Sequence, residues 1–522
     1  MTTGAGELAR RVSEILAVDP ETFRDRAEID AETVKSEIRD GTFDNHQSIV
    51  GLEYEFYAVS QGRWHAGDET EGVGRGDLTR VPRRLLDLIG FEKELGLHNA
   101  EMTTSPQPFN PDGLRAQAAE VRSRLRAALQ TTKSEGMRLV SDGLWTIPPA
   151  GETARSYLGG FIEDDGVKIA TNMSDSPRYH AMANGPNAEA TFDLDAPFAE
   201  FSCETAMPVA LTTSIQPHYQ IPTATDLPIY HDYAVRIAGP LLALGVNTPF
   251  LPPDLYDDDA DPEAIFTDGL HENRVRAFEV LNTTDSPKVA LPKDLDSVEE
   301  AVDRVARDDV IVPMPEDAVV DGCRFDDSFA TLRRKHGTYW RWVRPVFDGG
   351  SRSAANARIE FRPIPGQPTV RDSVAFLAAF AGLMESLPQR RHPCRRLDWE
   401  TARDNFEAAV ADGIGADLTW VTNEGVETAD TERLYEDLLA HAEAGLVGAG
   451  CSERVAEGYL EPLRYRVENE LTPASWKIDR AREHYENGET FAEAVCATQQ
   501  DYLDHQRDTL LEGSFTDWRG SC

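Results

Sequence analysis

The chain has 522 residues, 40% of them apolar and 8% aromatic, which is enough to bury a large core and argues against wholesale disorder. Asp and Glu number 91 against 52 Lys and Arg, a formal net charge of −39, so nucleic acid is excluded as a natural partner of the surface. The cationic minority is mostly arginine, a balance that resembles proteins of salt-in halophiles and predicts a fold that loosens when salt no longer screens its self-repulsion.

In chain order, Leu8, Val12, Ile15 and Leu16 have helical spacing, and residues 1–45 are expected to form a helical extension. Met1 to Asp19 carries charges throughout and lacks the apolar stretch of a secretion signal, and no later run approaches membrane-spanning length. Ser48 to Val59 reads as a strand, and Asn110-Pro111-Asp112-Gly113 opens a helix whose stripe is Leu114, Ala118, Val121, Leu125 and Leu129. The tetrad Gly72-Val73-Gly74-Arg75 has neither Walker A nor dinucleotide-binding spacing and reads as a loop. Residues 151–200 are punctuated by Gly, Pro and Asn and show no regular order.

A strand is expected over Thr212–Ile221, an apolar helix over Ile229–Leu244, and an acidic insertion over Asp254–Asp261. A further strand, Ala357–Ile364, leads into an apolar helix, Asp372–Leu387, and beyond about residue 395 the periodicity is helical. The expected division is 1–45, a mixed core over 46–392, and a helical C-terminal region over 393–522. Six dispersed cysteines (Cys203, Cys323, Cys394, Cys451, Cys496, Cys522) form no CxxC pair and no zinc-spaced cluster. They read as free thiols, and the expected location is the cytoplasm, with no membrane partner.

Three strand-like segments carry functional groups at alternate positions. In Gly51-Leu52-Glu53-Tyr54-Glu55-Phe56 a period of two puts both carboxylates on one face. An isolated pair of this kind is usually a solvent-facing strand, but two like charges about 4 Å apart repel by roughly 4 kcal/mol at an effective dielectric near 20, so a shared site calls for a cation or raised pKa values. Gln216-Pro217-His218-Tyr219-Gln220 places two amides and an imidazole together, with Pro217 indicating an edge or bulged position. Arg358-Ile359-Glu360-Phe361-Arg362 flanks a carboxylate with two guanidinium groups, either a structural ion-pair ladder or a metal ligand among phosphate-binding arginines. Together they suit Mg2+, which takes carboxylate oxygens plus substrate phosphates, with arginines neutralising a transferred phosphoryl group.

At these residues the sequence resembles the glutamate-cysteine ligase family, the plant and proteobacterial type and related carboxylate-amine ligases. The landmarks occur in the family's order: GLEYEF, NAEMTTSPQPF at 99–109, SIQPHYQIP leading to LLALGVNTPF at 241–250, then HGTYWRWVRP and ARIEFRP near 336–363, with Arg178-Tyr179 and Met182 between. The resemblance implies an α+β, glutamine-synthetase-like fold, with a curved antiparallel sheet around the active site and helices on its outer side. It implies metal-binding roles for Glu53, Glu55, Glu101, His218 and Glu360, catalytic roles for Glu53, Glu55, Glu360 and Arg362, and nucleotide contacts for Gln216, His218, Arg358 and Arg362. Thr103, Arg274 and Arg344 match positions suited to the glutamate substrate.

The implied activity is ATP-dependent formation of γ-glutamylcysteine with two or more Mg2+ ions, Mn2+ being an alternative. A different amine acceptor or a catalytically silent binding homologue are the competing readings. The chain departs from the family where many relatives read HxH and it has Gln216, where NTPF replaces NSPF, and in the acidic insertion. Sequence does not indicate the oligomeric state.

Overall fold

In the computed structural model, which describes residues 2–62, 75–185, 191–284, 286–315 and 324–518, the run predicted as the first strand is β1 (Ile49–Gln61). It is followed by β2 (Arg75–Leu78), β3 (Glu92–Lys93), β4 (Asn99–Thr103), β5 (Gln107–Pro108) and β6 (Met137–Val140). Residues 72–74 of the glycine-rich tetrad, Cys323 and Cys522 lie outside the described residues.

The stretch over 151–200, expected to lack regular order, contains one hairpin, β7 (Phe161–Asp164) with β8 (Val167–Ala170), and most of a second, β9 (Phe192–Ala196) with β10 (Ala199–Cys203). The first turns on Asp165 and Gly166, both at positive φ (49° and 76°), the Asp-Gly pair that a two-residue hairpin turn favours. Three more strands, β11 (Ile215–Gln220), β12 (Val343–Asp348) and β13 (Asn356–Phe361), complete a curled antiparallel sheet in the order β12-β13-β11-β1-β4-β3, with β2, β5 and β6 also paired to β1. Pro217 sits inside this sheet. Pairing of β11 with β13 stops at His218↔Glu360 and resumes at Ser214↔Pro365, a one-residue shift that places the proline at a bulge.

The helices begin with α1 (Thr2–Leu16), α2 (Pro20–Arg39), α3 (Arg83–Ile89) and α4 (Pro111–Lys133). Asn110 caps α4 by accepting from Gly113 N at 2.8 Å, with Pro111 in the first turn where no N–H is needed. Gly113 is required there, because a Cβ would stand 1.9 Å from the Pro108 carbonyl oxygen. Short helices α5 (Ala154–Gly159) and α6 (Pro177–Met182) precede α7 (Leu227–Gly245), which is buried at every position from Tyr230 to Gly245. After it come α8 (Pro262–Asp268), α9 (Asn273–Glu279), α10 (Val298–Arg307) and α11 (Ala330–His336).

Helix α12 (Val370–Arg390), capped by Thr369, packs with α4 and α7 behind the sheet. The C-terminal region is α13 (Trp399–Asp412), α14 (Thr431–Gly448), α15 (Glu453–Asn469), α16 (Pro473–Glu486) and α17 (Phe491–Thr509). Helices α12 and α14 cross at Gly382 and Gly445; a Cβ on Gly445 would lie 1.8 Å from the Gly382 carbonyl oxygen, so the crossing admits no larger residue.

Two buried ion pairs hold this region to the core. Arg466 donates to Asp372 at 3.1 Å and to the Leu244 carbonyl at 2.7 Å, and Lys477 donates to Asp142 at 2.6 and 2.8 Å and to the Asn247 carbonyl at 2.8 Å. Burial raises the Asp142 pKa and lowers that of Lys477, so each group depends on the other to stay charged. Among the described residues no helix is long and apolar enough to cross a membrane.

Candidate active site

The alternation in β1 sends Leu52, Tyr54 and Phe56, each at most 1% exposed, to the helix side and Glu53 and Glu55 to the concave side. Antiparallel register then lines up functional groups across strands. One row runs Gly51, His218, Glu360, Arg344; the next runs Gln216, Glu53, Thr103; the third runs Glu55, Glu101, Glu92. Residues up to about 310 positions apart in sequence thereby become neighbours, and a cavity of about 340 Å3 lies over them.

Glu360 is 3% exposed, and its Oε1 accepts from Arg344 Nε and Arg362 Nη1, both at 2.7 Å. Burial would raise its pKa, but the two guanidinium groups outweigh burial and hold it well below the carboxylate range. Arg362 also donates to Gln216 Oε1 at 2.5 Å, and its pKa rises, because Glu360 outweighs the burial that would lower it. Glu53 lies 3.2 Å from His218 Nε2; burial pushes its carboxyl up, and His218 with Arg344 brings it below the usual value.

The third row behaves oppositely. Glu55 accepts from Ser214 N at 2.6 Å and Gln216 Nε2 at 2.9 Å, yet burial, followed by the charge of Glu94, pushes its pKa up to about 7. Burial and the charges of Glu94, Glu53 and Glu55 raise Glu101 well above its ordinary value. Acids crowded beyond what their protein neighbours can neutralise form a set of hard oxygen donors, and this donor set fits Mg2+ or Mn2+.

Glu53, Glu55, Glu101, Thr103, Gln216, Arg344 and Arg362 all line the cavity. Four of the predicted residues stand apart from its wall: Glu360, clamped behind Arg344 and Arg362, and Arg274, Arg358 and His218. Arg274, expected at the substrate, is 4% exposed, pairs with Glu272 at 3.0 Å and lies over the Trp342 ring, so its charge is consumed inside the core. Arg358, expected at nucleotide, donates to Asp348 at 2.8 Å and to Asn356 at 3.0 Å. It also donates from Nε to His218 Nδ1 at 3.2 Å, and His218 Nε2, buried and without a hydrogen-bond partner, lies 3.2 Å from Glu53.

The acidic insertion also lies off the cavity. Asp254 instead caps α5 through Ala154 N and Arg155 N at 3.1 and 2.9 Å.

Sequence reasoning missed Glu92 and Glu94, which line the cavity; their signal was a second E-x-E, with Glu92 in a strand of only two residues whose register sets it opposite Glu101. Phe278 and Trp340 supply an apolar wall, with Arg362 over the Phe278 ring.

Elsewhere, His392, Asp437 and His441 bring donor atoms within 4.8 Å of one another. His392 Nδ1 accepts from Cys394 N at 3.1 Å, so its Nε2 donates to Asp437, which also accepts from Trp420 Nε1 and Asn423 N. That is a satisfied hydrogen-bond cluster tying α14 to the core.

A curled antiparallel sheet with carboxylates and arginines on its concave face and helices behind it is a glutamine-synthetase-like fold, the class of ATP-dependent carboxylate-amine ligases. Over residues 49–497 the chain matches Glutamate-cysteine ligase family 2 (GCS2), and it belongs to that family. Among solved structures it is similar to the glutamate-cysteine ligase GshA of Francisella tularensis in complex with AMP, at 14% identity and a TM-score of 0.51 over 90% of this chain and 91% of that one. It is also similar to a bifunctional glutathione synthetase of Pasteurella multocida, at 13% identity and a TM-score of 0.46 over 91% of this chain and 55% of that one. A third is the ligase PafA in complex with the ubiquitin-like protein Pup, at 10% identity and 0.40 over 86% and 71%. No curated protein sequence matches the chain.

Proposed function

We propose that the protein joins the γ-carboxylate of glutamate to the amine of cysteine, converting ATP to ADP and phosphate by way of a γ-glutamyl phosphate. The observation that carries this reading is the cross-strand grid, in which an over-acidic row (Glu55, Glu101, Glu92) adjoins a carboxylate clamped between two arginines (Glu360, Arg344, Arg362), within a chain of the glutamate-cysteine ligase family.

Glu53, Glu55, Glu101 and Glu360 would hold the metal ions, and bound Mg2+ would supply charge neutralisation and polarisation of the transferred phosphoryl group. Arg362, held in place by Gln216 and Glu360, presents a guanidinium to a phosphate, and Arg344 sits beside it for the phosphate or the glutamate carboxylate. Thr103, opposite Glu53, offers a hydroxyl at the cavity's edge. No side chain needs to act as a nucleophile, so the protein's part is positioning and charge stabilisation.

Mass spectrometry of products from ATP, Mg2+, glutamate and mixed acceptors at high salt tests the reading. A γ-glutamyl amide with stoichiometric ADP is expected, with γ-glutamylcysteine foremost; absence of ADP with every acceptor refutes it.

A further inference from the structure

Helices α4 and α15 both pack on α12 and leave between them a groove of about 390 Å3 that shares no residue with the acidic cavity. Its rim is cationic. Arg115 and Arg122 come from α4, Arg371 from the first turn of α12 and Arg454 from that of α15, and no carboxylate lines the groove among the described residues. Arg371 pairs with Glu461 at 2.8 Å and Arg115 with Asp112 on its own helix. Arg122 donates from Nε to the Leu511 carbonyl at 3.1 Å, and neither it nor Arg454 has an acid at ion-pair distance among the described residues. In a chain of net charge −39 a concave surface of this sign runs against the background and attracts an acidic occupant.

The floor says what shape that occupant has. Ala118, Ala119 and Gly458 are small enough to let another backbone come close, and Val455 beside them is an exposed apolar side chain. On α4 the groove residues fall at 115, 118, 119 and 122, a single stripe along the helix. A stripe of small residues flanked by arginines and facing a second helix is a seat for a third, one with an apolar knob and acids beside it.

The chain carries such a helix. Ile29 on α2 is 67% exposed, one of six large apolar side chains that stand exposed among the described residues, and Asp25, Glu28 and Glu32 are exposed on the same helix around it. Asp25 and Glu32 are seven residues apart, as are Arg115 and Arg122, so each pair spans about 10.5 Å of helix, with Ile29 inside one and the two alanines inside the other. We propose that α2 of a second copy of this chain lies in the groove, with Ile29 over Ala118 and Ala119 and its acids against the arginines. Two different patches meet in this contact, so the copies associate head to tail.

The test is sedimentation velocity of the full chain at fixed high salt, over about 1 to 100 µM, the range for a contact confined to one helix and a groove. It compares the parent with a groove variant, Arg115→Glu/Arg454→Glu, and a knob variant, Asp25→Lys/Ile29→Lys, all four positions being exposed. The parent is expected to self-associate, and each variant to raise the dissociation constant by about tenfold or more, because like charges then face each other across the contact. An equal mixture of the two variants is expected to form a 1:1 dimer and nothing larger, since one supplies an intact α2 and the other an intact groove. Should either double variant lose its circular dichroism spectrum, Arg454→Glu and Ile29→Ser read the same contact singly.

A parent that stays a single chain across the whole range overturns the proposal. Association that survives either variant assigns the contact to another surface and also overturns it, as does a mixture of the two variants that fails to pair. None of these results bears on the ligase reading, which ADP formation tests separately.

Discussion

Replacing Glu360 by Gln tests the arginine clamp without changing its shape. The carboxylate is buried, and both Arg344 Nε and Arg362 Nη1 donate to the same oxygen at 2.7 Å. At an effective dielectric near 20 and charge separations of about 4 Å, each pair is worth roughly 4 kcal/mol of attraction, so neutralising the acid removes about 8 kcal/mol. Several kcal/mol return because a buried carboxylate no longer needs desolvation, and the amide oxygen still accepts two hydrogen bonds worth about 1 kcal/mol each. The balance is a loss of about 2–4 kcal/mol in unfolding free energy, read by urea denaturation at fixed salt.

Catalysis should suffer more than binding. With the acid gone, the two guanidinium groups keep their charge but lose the anion that aims them, so kcat for ADP formation is expected to fall by about 10²–10³ while KM for ATP does not rise. A folded Glu360→Gln protein whose kcat stays within about threefold of the parent would refute the clamp as part of the machinery.

Lys477→Met leaves Asp142 buried with only Gln499 and Gly143 N as donors, and urea unfolding should show a loss of about 3–5 kcal/mol; a loss under about 1 kcal/mol would mean the pair does not hold the C-terminal helices. Dialysis from about 1 M to about 0.01 M salt lengthens the Debye screening distance from about 3 Å to about 30 Å, so Tm should fall steeply, with a circular dichroism spectrum unchanged at both salts as the contrary result. His98 is fully buried between Tyr157 Oη and the Ala210 carbonyl, and burial lowers its pKa to about 4. Its unfolded form takes up a proton near pH 6.5 and the folded form only near 4, so stability is lost as pH falls through that window, by about 3 kcal/mol in all. Unfolding free energies at pH 7 and pH 4.5 should differ less in His98→Gln than in the parent.

What was legible in the sequence is what period and residue type alone determine. Glu53 and Glu55 are on one face because two residues apart means one face in any strand, and Asn110-Pro111 starts α4 because a cap and a first-turn proline act locally. What a charge pairs with is settled by packing. Arg274 and Arg362 look equally available in the sequence, yet Glu272 takes one into the core while Gln216 and Glu360 hold the other at the cavity. The surroundings of His218 are likewise set by packing, with Arg358, one row away, donating to its Nδ1 and Glu53 beside its Nε2. Glu92 and Glu94 were obscured because a two-residue strand has no periodicity to read.

The same grid explains why such a site is carried by a sheet with so apolar a back. Placing Glu55, Glu101, Glu92 and Glu94 around one cavity works against folding, as the raised pKa values of Glu55 and Glu101 record. The opposing stabilisation comes from the other side of the same strands, where Leu52, Tyr54, Phe56, Ala100 and Met102 are buried to 1% exposure or less. Because alternate residues of one strand serve the two faces, the acids cannot spread apart without pulling that core with them. The crowding is therefore built into the register, and a cation entering the cavity meets donors whose approach has already been enforced by the fold.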